Sequence, residues 1–283
     1  MMRATMSEKT VKVTASEAPK TVRFAFTRKW FAAPHIVFTA VFILFPMLML
    51  LFRAFTVGDT FTLTFDNFTR FFGNKDYVMI FLQSVAVAVV STLLCLLIGY
   101  PVAYLLTHVK LFKNPYSVAI LFIMPMWINF LLRIMAIKEI LPAIGIPLGW
   151  GAIVIGMVYD FLPFMILPLY NSLNKMDKSL LEAASDLGAS KAQVFVKTVV
   201  PLSMPGIISG VTMVFVPVLS AFAISDAMSG NKINMFGTII SNLKSDLNYT
   251  AALALIMSVF VISSLLLTNR YERIGGQTGG TMI

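Results

Sequence analysis

Six stretches of this chain run almost without charge for about 20 residues each, the length an α-helix needs to cross about 30 Å of hydrocarbon at 1.5 Å per residue. They are Phe31–Phe52, between Lys29 and Arg53; Tyr77–Leu106, between Asp76 and His108; and Pro115–Leu132, between Lys113 and Arg133. Then come Trp150–Tyr170, Pro201 to Ile224, and Tyr249–Thr268, which Asn269-Arg270 stops. The runs are continuous rather than alternating. They therefore read as helices, since only helices and closed barrels satisfy their backbone polar groups inside lipid. The second run is about 30 residues long, so it tilts or begins outside the hydrocarbon. The first starts after 30 polar residues and has no small-residue cleavage site behind it, which reads as a retained span rather than a signal peptide. Composition agrees: 58% of residues are hydrophobic and 12% charged, against about 45–50% and about 25% in soluble domains. That excludes a disordered chain and argues against a water-soluble globule. The single cysteine, Cys95, excludes an internal disulfide framework and a cysteine-built zinc site. The expected fold class is all-α, a polytopic membrane protein with six transmembrane helices.

Net charge is +9. In a soluble protein that would suggest nucleic acid; here it reads as basic loops on the cytoplasmic side, with no nucleic-acid partner. With six spans both termini share a side, and 15 of the 22 Lys and Arg residues fall on that side. Both termini are therefore expected in the cytoplasm. The expected organisation is a basic tail over 1–30, a membrane domain over 31–270 with a cytoplasmic loop at 171–200, and a tail over 271–283. The first tail, with seven Lys and Arg, reads as a segment held near anionic lipid or as a specific binding element.

The loop over 171–200 is patterned rather than slack. Ser179-Leu180-Leu181-Glu182 has the form of a capping box, and Leu180, Leu181, Ala184 and Leu187 fall on one helical face. Gly188 follows as a left-handed stop, and Ser190-Lys191-Ala192-Gln193 forms a second capping box. The pattern predicts two helices with a sharp turn at Gly188-Ala189. Such a knob suits a partner's groove; an interfacial helix resting on lipid is the equal alternative.

Glu182-Ala183-Ala184, three residues, Gly188, nine residues, then Thr198-Val199-Val200-Pro201 resembles the EAA motif of binding-protein-dependent ABC importer permeases, usually EAA-x3-G-x9-I-x-L-P. Thr198 and Val200 depart from its Ile and Leu. Leu162-Pro163-Phe164-Met165, Pro168-Leu169-Tyr170, the run Leu180 to Ser190, and Pro201 to Ile208 extend the likeness, specifically to spermidine/putrescine importer permeases. The resemblance implies a type I importer permease (MetI-like) fold. It also implies a second similar permease subunit, two ATP-binding subunits, and an extracytoplasmic solute-binding protein. By the same resemblance Glu182, Ala183, Ala184, Asp186 and Gly188 belong to a coupling helix seated on the ATPase. For Glu182, helix capping is a compatible second role.

No GxxxxGK[ST] loop occurs, so a permease doing active transport would need a separate ATPase, and no cofactor or metal is expected. No HExxH motif, Ser-His-Asp order or carboxylate pair stands out, so the chain is not expected to be an enzyme itself. His35 and His108 read as interfacial or solvated, and Cys95 as a small buried apolar residue. Asp160 lies ten residues into the fourth run, about 15 Å from Trp150, where a carboxylate needs a cavity or a partner. No cation is expected at its depth in this chain. It reads as a counter-charge for a cationic solute, or as a carboxyl bonded to a neighbouring helix or to a partner subunit. Tyr159, Trp127 and Asn129 are candidate solute contacts beside it, or packing residues. Asp226 is placed at the outer mouth, attracting cations or simply solvated. Prolines at 46, 101, 125, 163, 168, 205 and 217 are expected to permit bends, Pro163 and Pro168 as a gate below Asp160 or as packing kinks. The expected function is a permease subunit of an ATP-driven importer for polyamines. Rivals are an importer of another small solute, a gradient-driven cation transporter, and a non-transporting scaffold.

Overall fold

The computed structural model describes residues 33–58, 62–108, 121–122, 124–230, 232–243 and 245–278. The basic tail over 1–30, the start of the third apolar run and the last residues of the chain lie outside the described residues. The chain divides into two units, Met1–Met47 and Leu48–Ile283. The described part of the first is helical: α1 (Ala33–Thr39), a π-helical turn (Ala40–Leu44), and the start of α2 (Phe45–Ala54).

The second unit holds the remaining elements. They are α3 (Asp66–Gly73), α4 (Lys75–His108), α5 (Phe130–Ala143), α6 (Trp150–Asn174), α7 (Lys178–Asp186) and α8 (Lys191–Leu202). After them come α9 (Met204–Ser220), α10 (Phe222–Ser229), α11 (Phe236–Asn242) and α12 (Leu247–Thr278). The described residues contain no strand, only an isolated bridge between Thr56 and Leu63. The all-α expectation holds. Four helical segments are long and apolar enough to span a bilayer: Pro34–Ala54, Lys75–Thr107, Trp150–Asn174 and Leu247–Thr268. The bent pair α8–α9 makes up to five.

Helices α4, α6 and α9 pack on one another in the centre of this unit, with α12 against α9 and α10 against α6. Their buried faces carry Cys95, Met157, Met165, Leu169, Val214 and Val218. Cys95 is fully buried, as expected. Lipid tails are as apolar as leucine, so helices in lipid associate through close packing rather than by hiding oil from water. Here the close packing comes from Gly206 and Gly210, four residues apart on α9. A Cβ at Gly206 would sit 2.4 Å from Ser172 Cβ and 2.9 Å from the Pro168 carbonyl oxygen of α6. One at Gly210 would sit 2.7 Å from Met165 Sδ.

Three apolar runs differ from their expected form. The third does not continue helical to Leu132. Leu121-Phe122 is followed by a 3-10 turn, Met124–Trp127, and a new helix starts at Phe130. The cause is local: Pro125 supplies no backbone donor, and the Asn129 side chain accepts from Leu131 N at 2.9 Å, capping α5. The fifth run is not one rod to Ile224. The chain bends by 63° between α8 and α9. Pro205 sits in the first turn of α9, where its missing N–H costs nothing but no helix can run straight in from Ser203. A further break at Ala221 separates α10. The sixth apolar stretch does stop at Thr268, but its helix continues to Thr278. By contrast α4 runs unbroken through Pro101, and α6 through Pro163 and Pro168.

Gly206→Ala should lower stability by about 1–3 kcal/mol, because a methyl group has no room against Ser172 and Pro168. Thermal unfolding in detergent reads this as a lower Tm. Adding Ser172→Gly should restore only part, since the Pro168 carbonyl remains. Gly151→Ala, with nothing within 4 Å of the added carbon, should leave Tm unmoved.

Candidate functional site

The patterned loop folds as a capped helical hairpin, α7 and α8. Its first cap differs from expectation. The Ser179–Glu182 box does not form; Asp177 is the N-cap, its carboxylate accepting from Ser179 N at 3.0 Å. Asp177 stands one residue outside the helix in extended geometry, while Ser179 is already inside the first turn. Hydrogen bonds from Ser179 hold the Asp177 carboxyl below its ordinary pKa. The Ser179 amide is therefore satisfied without Glu182, whose side chain stands exposed.

The turn after α7 is a Schellman motif. Ala189 N donates to Ala184 O at 3.2 Å and Gly188 N to Ser185 O at 2.9 Å. Gly188 has φ +83°, the left-handed geometry the sequence predicts for it. The second box forms in full: Ser190 Oγ accepts from Gln193 N at 3.3 Å, and Gln193 Oε1 accepts from Ser190 N at 2.9 Å. Glu182, Ala183, Asp186 and Gly188 are exposed, and Ala184 is half-buried. Leu187, at 89% exposed, projects outward instead of packing with Leu181. Ala184, Leu187, Gly188, Gln193 and Lys197 line an open groove between the two helices. The hairpin thus offers an apolar tip, small residues that let another backbone approach, and two free-standing acids.

The second candidate site is inside the bundle. Asp160 is buried on α6, and Arg133 Nη2 lies 2.5 Å from its Oδ1. The side chains are 6% and 8% exposed. This corrects the expectation that no cation shares the depth of Asp160. The Asn129 cap starts α5 early enough that Arg133, taken from sequence as the outer boundary of a span, faces α6 from the first turns of α5. One signal was available: Arg133 has leucines on one side and Ile134-Met135 on the other, an unusual setting for a solvated boundary residue.

The other candidates do not gather around this pair. Tyr159 is half-exposed and lines a cleft with Leu121, Phe122, Pro125, Leu162 and Pro163. Neighbours on a helix point about 100° apart, so Tyr159 and Asp160 serve different faces. Trp127 is 84% exposed in its 3-10 turn, and the Asn129 amide oxygen is taken by the α5 cap. Asp226 lies on α10 and accepts from Thr238 Oγ1 of α11 at 2.8 Å; it ties two short helices rather than standing solvated. Among the described residues no group of three or more metal-binding side chains gathers.

Long apolar helices, with one exposed capped hairpin between two of those in the second unit, are the features of a polytopic membrane protein. Residues 30–274 match the family described as the binding-protein-dependent transport system inner membrane component, and the chain belongs to that family. It is an inner-membrane, multi-pass permease component of that class. It is 35% identical over 265 residues to the spermidine/putrescine transport system permease protein PotB of Escherichia coli, covering 82% of this chain and 96% of that one. The protein of that name from Haemophilus influenzae is 34% identical over 82% of this chain and 88% of its own. In fold the chain is similar to a bacterial ABC transporter involved in the import of alginate. There the TM-score is 0.68 at 15% identity, covering 87% of this chain and 96% of that one. It is also similar to the MetNI methionine ABC transporter, with a TM-score of 0.58 at 18% identity over 71% and 99% of the two chains. The MetI-like fold expected from the motif is thus the fold found.

Two outcomes follow. Asp160→Asn leaves Arg133 buried and uncompensated and should cost about 3–5 kcal/mol, whereas Arg133→Met with Asp160→Leu should lie near wild type or above it. Thermal unfolding of purified protein decides this, and a double variant worse than the single one would show that the pair does more than join α5 to α6. For the hairpin, a depressed carboxyl pKa means that the Asp177 cap contributes fully above the ordinary Asp value of about 3.9 and is lost as pH falls through the lower folded value. Hydrogen-exchange protection at the start of α7 should therefore be flat from about pH 5 to 8. It should fall with Asp177→Ala and persist with Asp177→Asn, which retains the acceptor.

Proposed function

We propose that this chain is a permease subunit of an ATP-driven importer for polyamines such as putrescine and spermidine. The observation that carries the solute is the 35% identity to a spermidine/putrescine permease over most of both chains. The observation that supports ATP coupling is the rigid exposed hairpin. Glu182, Ala183, Ala184, Asp186 and Gly188 are the surface on which an ATP-binding subunit would dock, with the alanines allowing close approach. A second, similar permease completes the path, and an extracytoplasmic binding protein delivers the solute. Closure of the ATPase pair on ATP would push the hairpins and turn the cavity outward; hydrolysis would reset it. The chain contributes no nucleotide site of its own, so hydrolysis belongs to the assembled complex.

In this reading six spans place both termini in the cytoplasm. Exposed aromatic faces at Tyr159 and Trp127 are available to an alkylammonium, and Asn129 and Asp226 are further pathway residues in this reading, each already engaged in a hydrogen bond within the chain. Asp160 serves the path with its charge already matched by Arg133, so its resting role is to neutralise that guanidinium. The same pairing weakens the gradient-driven rival, which relied on an unpaired intramembrane carboxylate.

The test is a gentle detergent pull-down of the tagged chain from its native membrane, with putrescine uptake measured in the same cells. Recovery of a Walker-motif ATPase and a second permease, with uptake lost on ATP depletion, is expected. A chain recovered alone, with uptake that survives ATP depletion but collapses with the ion gradient, overturns the proposal.

A further inference from the structure

A docking hairpin can do work only if its displacement reaches the helices around the path, and one set of side chains makes that connection. Helix α8 is not a uniform rod. It contains a π-helical turn, Phe195–Val199, and ends at Ser203, where the chain bends by 63° into α9. A π turn shifts the facing of the residues around it and recurs where a helix must do something besides span. Here the turn begins with Phe195, half-buried against two tyrosines of α4. Its ring meets Tyr100 at 5.7 Å and 89°, and Tyr104 at 5.3 Å and 88°. Both are edge-to-face geometries, which hold orientation as well as distance. Tyr100 and Tyr104 are four residues apart, stacked on one face of α4.

Tyr100 makes a second contact, at the bend itself. Its hydroxyl lies 2.8 Å from Ser203 Oγ. Ser203 is fully buried, and its hydroxyl also reaches Val200 O at 3.0 Å, which fixes it against the end of α8. One residue of α4 thus holds α8 at two points, the ring near the hairpin and the hydroxyl at the hinge. Beyond the hinge, α9 is locked to α6 through Gly206 and Gly210. Movement of the hairpin therefore meets the packed bundle at two places, across the bend into α9 and through Tyr100 and Tyr104 into α4, which also packs on α6 and α9.

We infer that Phe195, Tyr100 and Tyr104 are positioning residues that transmit hairpin displacement to α4, with Ser203 as the hinge. The inference rests on the proposed reading of the hairpin as the ATPase dock. It gives the π turn a purpose: the extra residue per turn directs Phe195 at α4 while leaving the exposed Val196 and Lys197 outward. It also assigns α4 as a helix that responds to nucleotide binding.

The test uses the complex purified from membranes with cysteine-free partner subunits, in nanodiscs. A nitroxide is attached at Leu105→Cys, an exposed position on α4 next to Tyr104; native Cys95 is buried and is not labelled. ATP should change the nitroxide line shape in this background. Phe195→Leu and Tyr100→Phe should each shrink that change, by roughly 3- to 10-fold, while the ATPase co-purifies in wild-type amount and hydrolyses ATP. Phe195→Tyr, which keeps the ring, should restore it. A merely structural role would lower assembly and the ATP response together. An ATP response unchanged in Tyr100→Phe, a substitution of one oxygen atom, overturns the inference even if Phe195→Leu fails to assemble. A wild-type background with no ATP response on α4 does the same. Failure of the docking reading looks different: no ATPase recovered at all, or ATPase binding indifferent to Gly188→Val.

Discussion

Close approach of helix backbones is the constraint on which this structure depends. In water a leucine-rich face is enough to glue two helices, but among lipid tails it gains almost nothing. What remains is van der Waals contact at short range, and that requires side chains small enough to stay out of the way. Gly206 and Gly210 let α9 lie so close to α6 that Ser172, Met165 and the Pro168 carbonyl occupy the space a side chain would need. Proline tolerance on α6 follows from the same contact. The helix runs unbroken through Pro163 and Pro168 because α4 and α9 hold its flanks, so the missing donors cost a hydrogen bond without costing the helix.

Buried charge obeys a second rule, and the two interact. A carboxylate held inside a bundle at close backbone spacing has no water to turn to, so its partner must come from the protein. Asp160 finds that partner in Arg133 because the third apolar run is broken at Pro125 and recapped at Asn129, which swings the start of α5 toward α6. A polar pair in this place contributes less to stability than well-packed apolar residues of equal volume would. Its effect is to fix which faces of α5 and α6 meet. The carboxylate that looked like an invitation to a cation is occupied at rest.

Much of this was legible along the chain because the bilayer imposes length and polarity on local sequence. Runs such as Trp150–Tyr170 and Tyr249–Thr268 become helices with no help from distant residues, and Gly188 with Ser190 and Gln193 dictates a turn and a cap within a few positions. The motif around Glu182 to Gly188 identified the family for the same reason, being local and surface-bound. What could not be read was settled by competition or by distance. Asp177 displaced the Ser179–Glu182 box because a carboxylate already in extended geometry meets the first amides before a serine already two residues inside the helix can. Arg133 lay outside a span by counting and inside the bundle by capping. The Tyr100–Ser203 bond joins residues 103 positions apart, and neither residue carries a pattern of its own.

The two ends of the molecule are therefore built on opposite principles, and the difference suits their work. The hairpin is fixed by its own termini: a cap at Asp177, a left-handed stop at Gly188, and a reciprocal box at Ser190 and Gln193. These local bonds set the turn between its helices, while Val194 and Phe195 seat its inner side on the bundle and leave its outer face exposed to a partner. The bundle is fixed by contacts between distant residues, which can be exchanged only in concert. Between them stand the C-terminal half of α8 and its bend, where two ring contacts and one hydroxyl join the hairpin to α4. A rigid lever joined by a few directional contacts to a tightly packed core passes a small displacement on as a choice between arrangements rather than as a gradual deformation. That is the property a machine alternating between two openings requires of the segment that drives it.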